Sequence, residues 1–165
     1  MKTTTCPSGG QNPLVFTRNL GVSIDAEQIR QRADELKQSF AQTITFGEHI
    51  SRITEALLQV KKEYADDNWD GYGAKRIDEK SFENALRFAW SLPSSIPEPE
   101  TDVVPAGEVV FTWSRAKRQL FSVIVGNRNE LSYAGLYGTT KTYGVEYYDE
   151  GIPDNILSNI KKVYV

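Results

Sequence analysis

The hydrophobic period of this chain changes to two near Gly107, and that change leaves few architectures open to it. Upstream, apolar residues recur every three or four positions; from there to Tyr148, they recur every second position. Glu108–Ser114 places Val109, Phe111 and Trp113 on one face, and Gln119–Val125 returns with Phe121, Val123 and Val125. Glu130–Gly135 follows with Leu131 and Tyr133, then Lys141–Tyr148 with Tyr143, Val145 and Tyr147. Short polar turns separate these runs, which predicts a four-stranded antiparallel β-meander. One face of such a sheet needs a cover, and helices are the only material available. The expected fold is therefore α+β: N-terminal helices, the meander, then a C-terminal helix.

Three helices are expected before the sheet. Asp25 suits an N-cap for a helix carrying Ile29, Ala33, Leu36 and Phe40, with Thr43–Gly47 as a short linker. A second stripe runs through Ile50, Ile53, Leu57, Val60 and Tyr64 and stops by Asp67. Asp78 then caps a third, with Phe82, Ala85, Leu86 and Ala89 inward and Leu92-Pro93 at its end. Ser94–Pro105 is a proline-rich connector in which Thr101–Val104 has room for only brief pairing. Past the sheet, Pro153 opens a helix with Ile156, Leu157, Ile160 and Val163 on one side. Residues 1–19 have no periodicity and read as a flexible tail, with Leu14-Val15-Phe16 offering an edge strand or a peptide-like contact. Residues 20–165 form one domain, of which 20–46 is a peripheral helical extension.

Between the second and third helices lies Asn68-Trp69-Asp70-Gly71-Tyr72-Gly73-Ala74. Gly71 and Gly73 call for a bent backbone, because glycine alone visits positive φ cheaply. Trp69 and Tyr72 on so short a turn imply that at least one anchors it to the core. Asp66-x-Asn68-x-Asp70-Gly71 also matches the first half of a calcium loop. The second half fails: the bidentate glutamate should fall at Ile77, and Asp78 is one residue late. The competing reading is a turn whose polar side chains cap helix ends.

A helix, this hexapeptide Trp69–Ala74, a second helix ending in Leu92-Pro93, prolines and a terminal sheet resemble a family of small bacterial proteins. The resemblance covers roughly residues 50–165 and implies the architecture above. It implies no catalytic residue. Proteins of this type look like accessory factors found beside defence or toxin systems in bacteria and their mobile elements.

Enzymatic chemistry runs short of parts. His49 is the only histidine and Cys6 the only cysteine, so a site built on several His or Cys ligands cannot form within one chain. Nucleophile-elbow, phosphate-loop and dinucleotide fingerprints are lacking. Two carboxyls in unlike environments, such as Asp70 and Glu108, could still do acid–base work, but 22 acids offer many such pairs. No cofactor is expected. A net charge of −3 disfavours a general nucleic-acid binder, no run of apolar residues reaches the roughly 20 a membrane helix needs, and a cytoplasmic location is the default.

Charge and aromatics say more. No acid occurs from Val109 to Asn129, where Arg115, Lys117, Arg118 and Arg128 sit in or beside turns, while acids flank the sheet on both sides. Tyr133, Tyr137, Tyr143, Tyr147 and Tyr148 crowd the last two strands, and period two sets Tyr143 and Tyr147 on one face and Tyr148 on the other. Tyrosine suits interfaces, offering large area and a polar tip at low entropy cost. The reading is a non-catalytic module that binds another protein as inhibitor or regulator, in the manner of an anti-defence factor, an anti-CRISPR or an antitoxin. Tyr133, Tyr137, Tyr143 and Tyr148 are its expected anchors, and Arg115, Lys117, Arg118 and Arg128 its steering charges. The alternatives are a small enzyme or calcium-dependent protein centred on Asp66, Asn68 and Asp70, and a homodimer formed through the tyrosines.

Overall fold

A computed structural model describes residues 24–149 and 151–165. The tail expected at 1–19, with Leu14–Phe16 and Cys6, lies outside them. The chain divides into two compact units, residues 1–39 and 40–165. The division falls inside the region expected to be a helical extension.

Helix α1 spans Ile24–Glu63 without interruption. The expected linker at Thr43–Gly47 is helical: its β-branched residues and glycine each cost only about 0.5–1 kcal/mol, and no proline or cap breaks the ladder. The stripe read for the N-terminal part is not a buried one, since Leu36 and Phe40 are exposed. Burial starts at His49 and continues through Ile53, Leu57 and Val60. Helix α2, Glu79–Ser91, begins where expected, with Asp78 Oδ1 accepting from Ser81 N–H at 2.8 Å. It buries Phe82, Ala85, Phe88 and Ala89, and also two polar side chains.

Five strands follow: β1 Glu100–Val103, β2 Val109–Ala116, β3 Gln119–Val125, β4 Glu130–Tyr137 and β5 Thr140–Tyr147. They form one antiparallel sheet in sequential order. The four-stranded expectation is one short, because the stretch between Pro99 and Pro105 pairs with β2 over four residues despite its flanking prolines. Proline is tolerated at the ends of an edge strand, where no ladder N–H is required. Helix α3, Asp154–Val163, closes the order with Ile156, Ile160 and Val163 buried.

The inner face of the sheet carries Val109, Phe111, Trp113, Phe121, Val123, Val125 and Leu131, all buried. Rings run across it from Phe88 to Phe111 (centroids 5.2 Å apart), Trp113, Phe121 and Tyr133. The two buried polar residues of α2 bond it to strand ends. Ser81 Oγ donates to Val125 O at 2.6 Å and accepts from Val109 N–H at 2.9 Å, and Asn84 Nδ2 donates to Gly126 O at 2.8 Å.

The segment before α2 is clamped to the β1–β2 turn. Lys75 N–H donates to Pro105 O and Asp78 N–H to Gly107 O, at 2.9 and 2.8 Å. Gly107 has φ +90°, and a Cβ there would lie 2.5 Å from Arg76 O. Only glycine fits so close a backbone approach at positive φ. Gly107→Ala is therefore expected to cost about 2–4 kcal/mol through strain and overpacking, read as a lower midpoint in urea unfolding followed by circular dichroism.

Candidate interaction surface

The Asn68–Ala74 turn is folded on itself. Asp70 Oδ1 accepts from the N–H groups of Tyr72 and Ala74 at 2.8 and 3.0 Å, Asn68 Oδ1 from Gly73 at 2.7 Å, and Asp67 Oδ1 from Arg76 at 2.9 Å. Gly71 and Gly73 have φ of +76° and +95°, as their spacing requires, and Asn68 also takes positive φ. Trp69 is the anchor: its ring meets Tyr64 edge-on at 4.6 Å and its Nε1 donates to Lys75 O at 2.9 Å. Tyr72 is 96% exposed and anchors nothing in the domain. Asn68 Oδ1 and Asp70 Oδ1, two of the oxygens proposed for a cation, thus accept from backbone donors, and Asp66 is exposed. Among the described residues no group of three or more His, Cys, Asp or Glu side chains could hold a metal ion.

Asp70 and Glu108 do not share a cleft. Backbone N–H groups of Ala74 and Tyr72 hold Asp70 below its ordinary value. Burial pushes Glu108 up, with Glu130 and Asp78 as its charged neighbours. Glu108 lines a polar cleft of about 600 Å³ with Asp67, Arg76, Asp78 and Lys80, and Asp70 is not part of it. His49 is buried, with Nδ1 3.7 Å from Glu98 Oε1 and Nε2 without a hydrogen-bond partner.

The tyrosines divide by strand face. Tyr133 and Tyr137 lie on the inner face, opposite Gly144 and Thr140, and both are only partly exposed. Tyr133 Oη accepts from Asn155 Nδ2 at 2.8 Å, and Tyr137 Oη donates to Asn159 O at 2.9 Å. Burial pushes the Tyr137 phenol up to about 12. Tyr148 is a core residue, 7% exposed, with its hydroxyl beside Ser91 Oγ and Arg87 O. It is no anchor in the folded domain, because it lies past the end of β5 and turns under α2. Only Tyr143 among the four is open, at 82%.

Tyr143 belongs to a larger surface. With Val145 (56% exposed) and Tyr147 (69%) it forms the outward row of β5. Register places Tyr143 beside Ala134, Val145 beside Ser132 and Tyr147 beside Glu130, with Leu136, Leu120 and Ile124 further across the same face. Leu120, Ala134, Leu136 and Tyr143 line a shallow groove of about 250 Å³ in it. Tyr147 and Val145 were not among the expected anchors. The alternation that pairs Tyr143 with Tyr147 was the signal that could have found them.

The basic residues also divide. Arg115, Lys117 and Arg118 cluster at the β2–β3 hairpin, whose neighbour across the sheet is the β4–β5 hairpin with Lys141: Gly138 N–H donates to Arg118 O at 2.7 Å. The last turn of α3 adds Lys161 and Lys162, and Arg115 Nη1 donates to Tyr164 O at 2.6 Å. Arg128 sits at the opposite end of the meander, in the β3–β4 turn next to Glu130. The sheet is thus basic at one end, while Glu108, Glu130, Glu146 and Asp149 gather toward the other. Among the described residues, none of the cations at the basic end forms an ion pair.

Comparison with protein-family models, curated proteins and solved structures finds no match to this chain.

Because the folded form holds Asp70 ionised below its ordinary value of 3.8, its contribution to stability is fully present above that pH and is lost as pH falls through the depressed value. Asp70→Ala should lower the melting temperature at neutral pH, by the same amount in calcium as in chelator, and the gap from wild type should close in acid. A calcium-dependent gap would return the turn to cation binding.

Proposed function

We propose that this protein is a non-catalytic module that binds another protein through the open face of its sheet and so inhibits or regulates it. The observation that carries the proposal is the outward row of β5. Tyr143, Val145 and Tyr147 are all more than half exposed on a face that also carries Leu120, Ile124, Ala134 and Leu136 among the polar Ser122, Glu130 and Ser132. An exposed aromatic row beside an apolar groove of this kind marks an interaction site, and a tyrosine buried in an interface takes some 150–250 Å² of contact with it. The adjoining end, with Arg118 and Lys141, supplies positive charge that forms no ion pair among the described residues and steers a partner carrying acidic groups.

Its cellular setting is read from the resemblance of residues 50–165 to small bacterial proteins: an anti-defence factor, an anti-CRISPR or an antitoxin-like protein, carried on a mobile element and acting in the cytoplasm. No described helix is long and apolar enough to cross a membrane.

The test is capture from host lysate, after nuclease treatment, with the full chain and with a variant carrying Tyr143→Ala and Arg118→Ala. A protein held by the wild type and lost by the equally stable variant supports the proposal. Tyr143→Ala alone should weaken the purified complex by at least about tenfold, the size expected of an interfacial tyrosine. Equal capture by both baits, or capture that nuclease abolishes, would overturn the reading.

A further inference from the structure

The free edge of β5 is complementary to itself. Tyr148 N–H donates to Asn129 O at 2.8 Å, at the end of the β4–β5 ladder. Antiparallel bonding alternates along a strand, so the even-numbered residues of β5 bond to β4. The N–H and C=O groups of Lys141, Tyr143, Val145 and Tyr147 therefore turn outward. β5 is the last strand of the sheet, and Lys141, Tyr143, Val145 and Tyr147 are exposed. β5 has no proline, and its register with β4 is unbroken over all eight residues. Natural edge strands are usually shortened, bulged or covered; this one is none of these.

We propose that β5 pairs antiparallel with β5 of a second copy of this chain, about a two-fold axis at Val145, joining two sheets into one. An axis perpendicular to the sheet keeps each residue on its own face, so opposed residues must both be odd or both be even. The register centred on Val145 sets Val145 against Val145 and Tyr143 against Tyr147 on the open face, and brings Lys141 to Asp149, two residues past the end of β5. Charge complementarity selects this occupant. β5 carries its cation, Lys141, at the basic end of the sheet, with Glu146 in the strand and Asp149 just past it at the other. Two-fold pairing brings the unlike ends of two copies together. Lys141 and Asp149 are exposed and form no ion pair among the described residues. Glu146, on the inner face opposite Gly144 of the second copy, is held back by Asn155 Nδ2 at 3.1 Å. Edge pairing leaves the open faces uncovered and sets two of them side by side, so it is independent of the partner proposed above.

Sedimentation velocity on the full chain over a concentration series tests it. The wild type should reach a dimer that weakens with added salt. Val145→Pro removes an outward N–H and leaves the bonds to β4 intact, so it should be monomeric with an unchanged circular dichroism spectrum. Lys141→Asp should weaken the dimer about tenfold, since a favourable pair becomes a repulsive one at two symmetric sites. Adding Asp149→Lys to that variant should restore it. A wild type that stays monomeric at every concentration overturns the pairing without touching the reading of the open face. So does a dimer indifferent to the charge swap and to Val145→Pro.

Discussion

The rings running from Phe88 through Phe111, Trp113 and Phe121 to Tyr133 hold the rest of the domain in place. A sheet of five strands has two faces, and two short helices with the end of α1 can cover only one of them. The large side chains therefore concentrate inside, where replacing one buried ring by alanine typically costs about 3–5 kcal/mol. Because the rings are contributed by β2, β3 and β4 together with α2, they also set the position of α2. Ser81 and Asn84 then bond α2 to the ends of β2 and β3, with hydrogen bonds that tolerate little sliding. The apolar contacts supply cohesion, and these few polar bonds supply register.

From that arrangement the turn at Asn68–Ala74 acquires its role. It connects α1 to α2, and the segment after it must reach Pro105 and Gly107 on the β1–β2 turn. Backbone groups in so tight a bend have no helix or ladder to satisfy them, so Asp67, Asn68 and Asp70 do it with side-chain oxygens. Two of the three residues that resemble half a calcium loop, Asn68 and Asp70, are explained by this need. Tyr64 ties the corner to β1 as well: its phenol is raised to about 12, chiefly by a hydrogen bond to Asp102.

Strand and helix periods were legible in the sequence because each reflects burial on one face, and the one-sided sheet enforces that burial strictly. The inner rows of β2 and β3, the Asp78 cap and the apolar side of α3 all follow from it. The merging of two expected helices into α1 was not legible, since Thr43–Gly47 is weakly helical by propensity and nothing in it forbids a helix. β1 was legible only as a brief pairing at Thr101–Val104, because prolines flank it on both sides. Ser81 and Asn84 were invisible for a different reason. A buried polar residue is recognised by its partner, and their partners lie 28 to 44 positions away.

The tyrosines show where composition misleads and geometry corrects it. Five of them in a short stretch point to an interface, but the fold assigns them three separate tasks. Tyr133 and Tyr137 bridge the inner face to α3, and Tyr148 fills space under α2. Tyr143 and Tyr147 are left largely exposed. Threonine or lysine would serve as well on the wet side of an edge strand if the edge had only to stay in solution. Two large aromatics flanking an exposed valine are what the proposed partner surface and the proposed edge pairing would use. A stable monomer gains nothing from either. The cost of keeping such a surface soluble is understandable if another chain covers it.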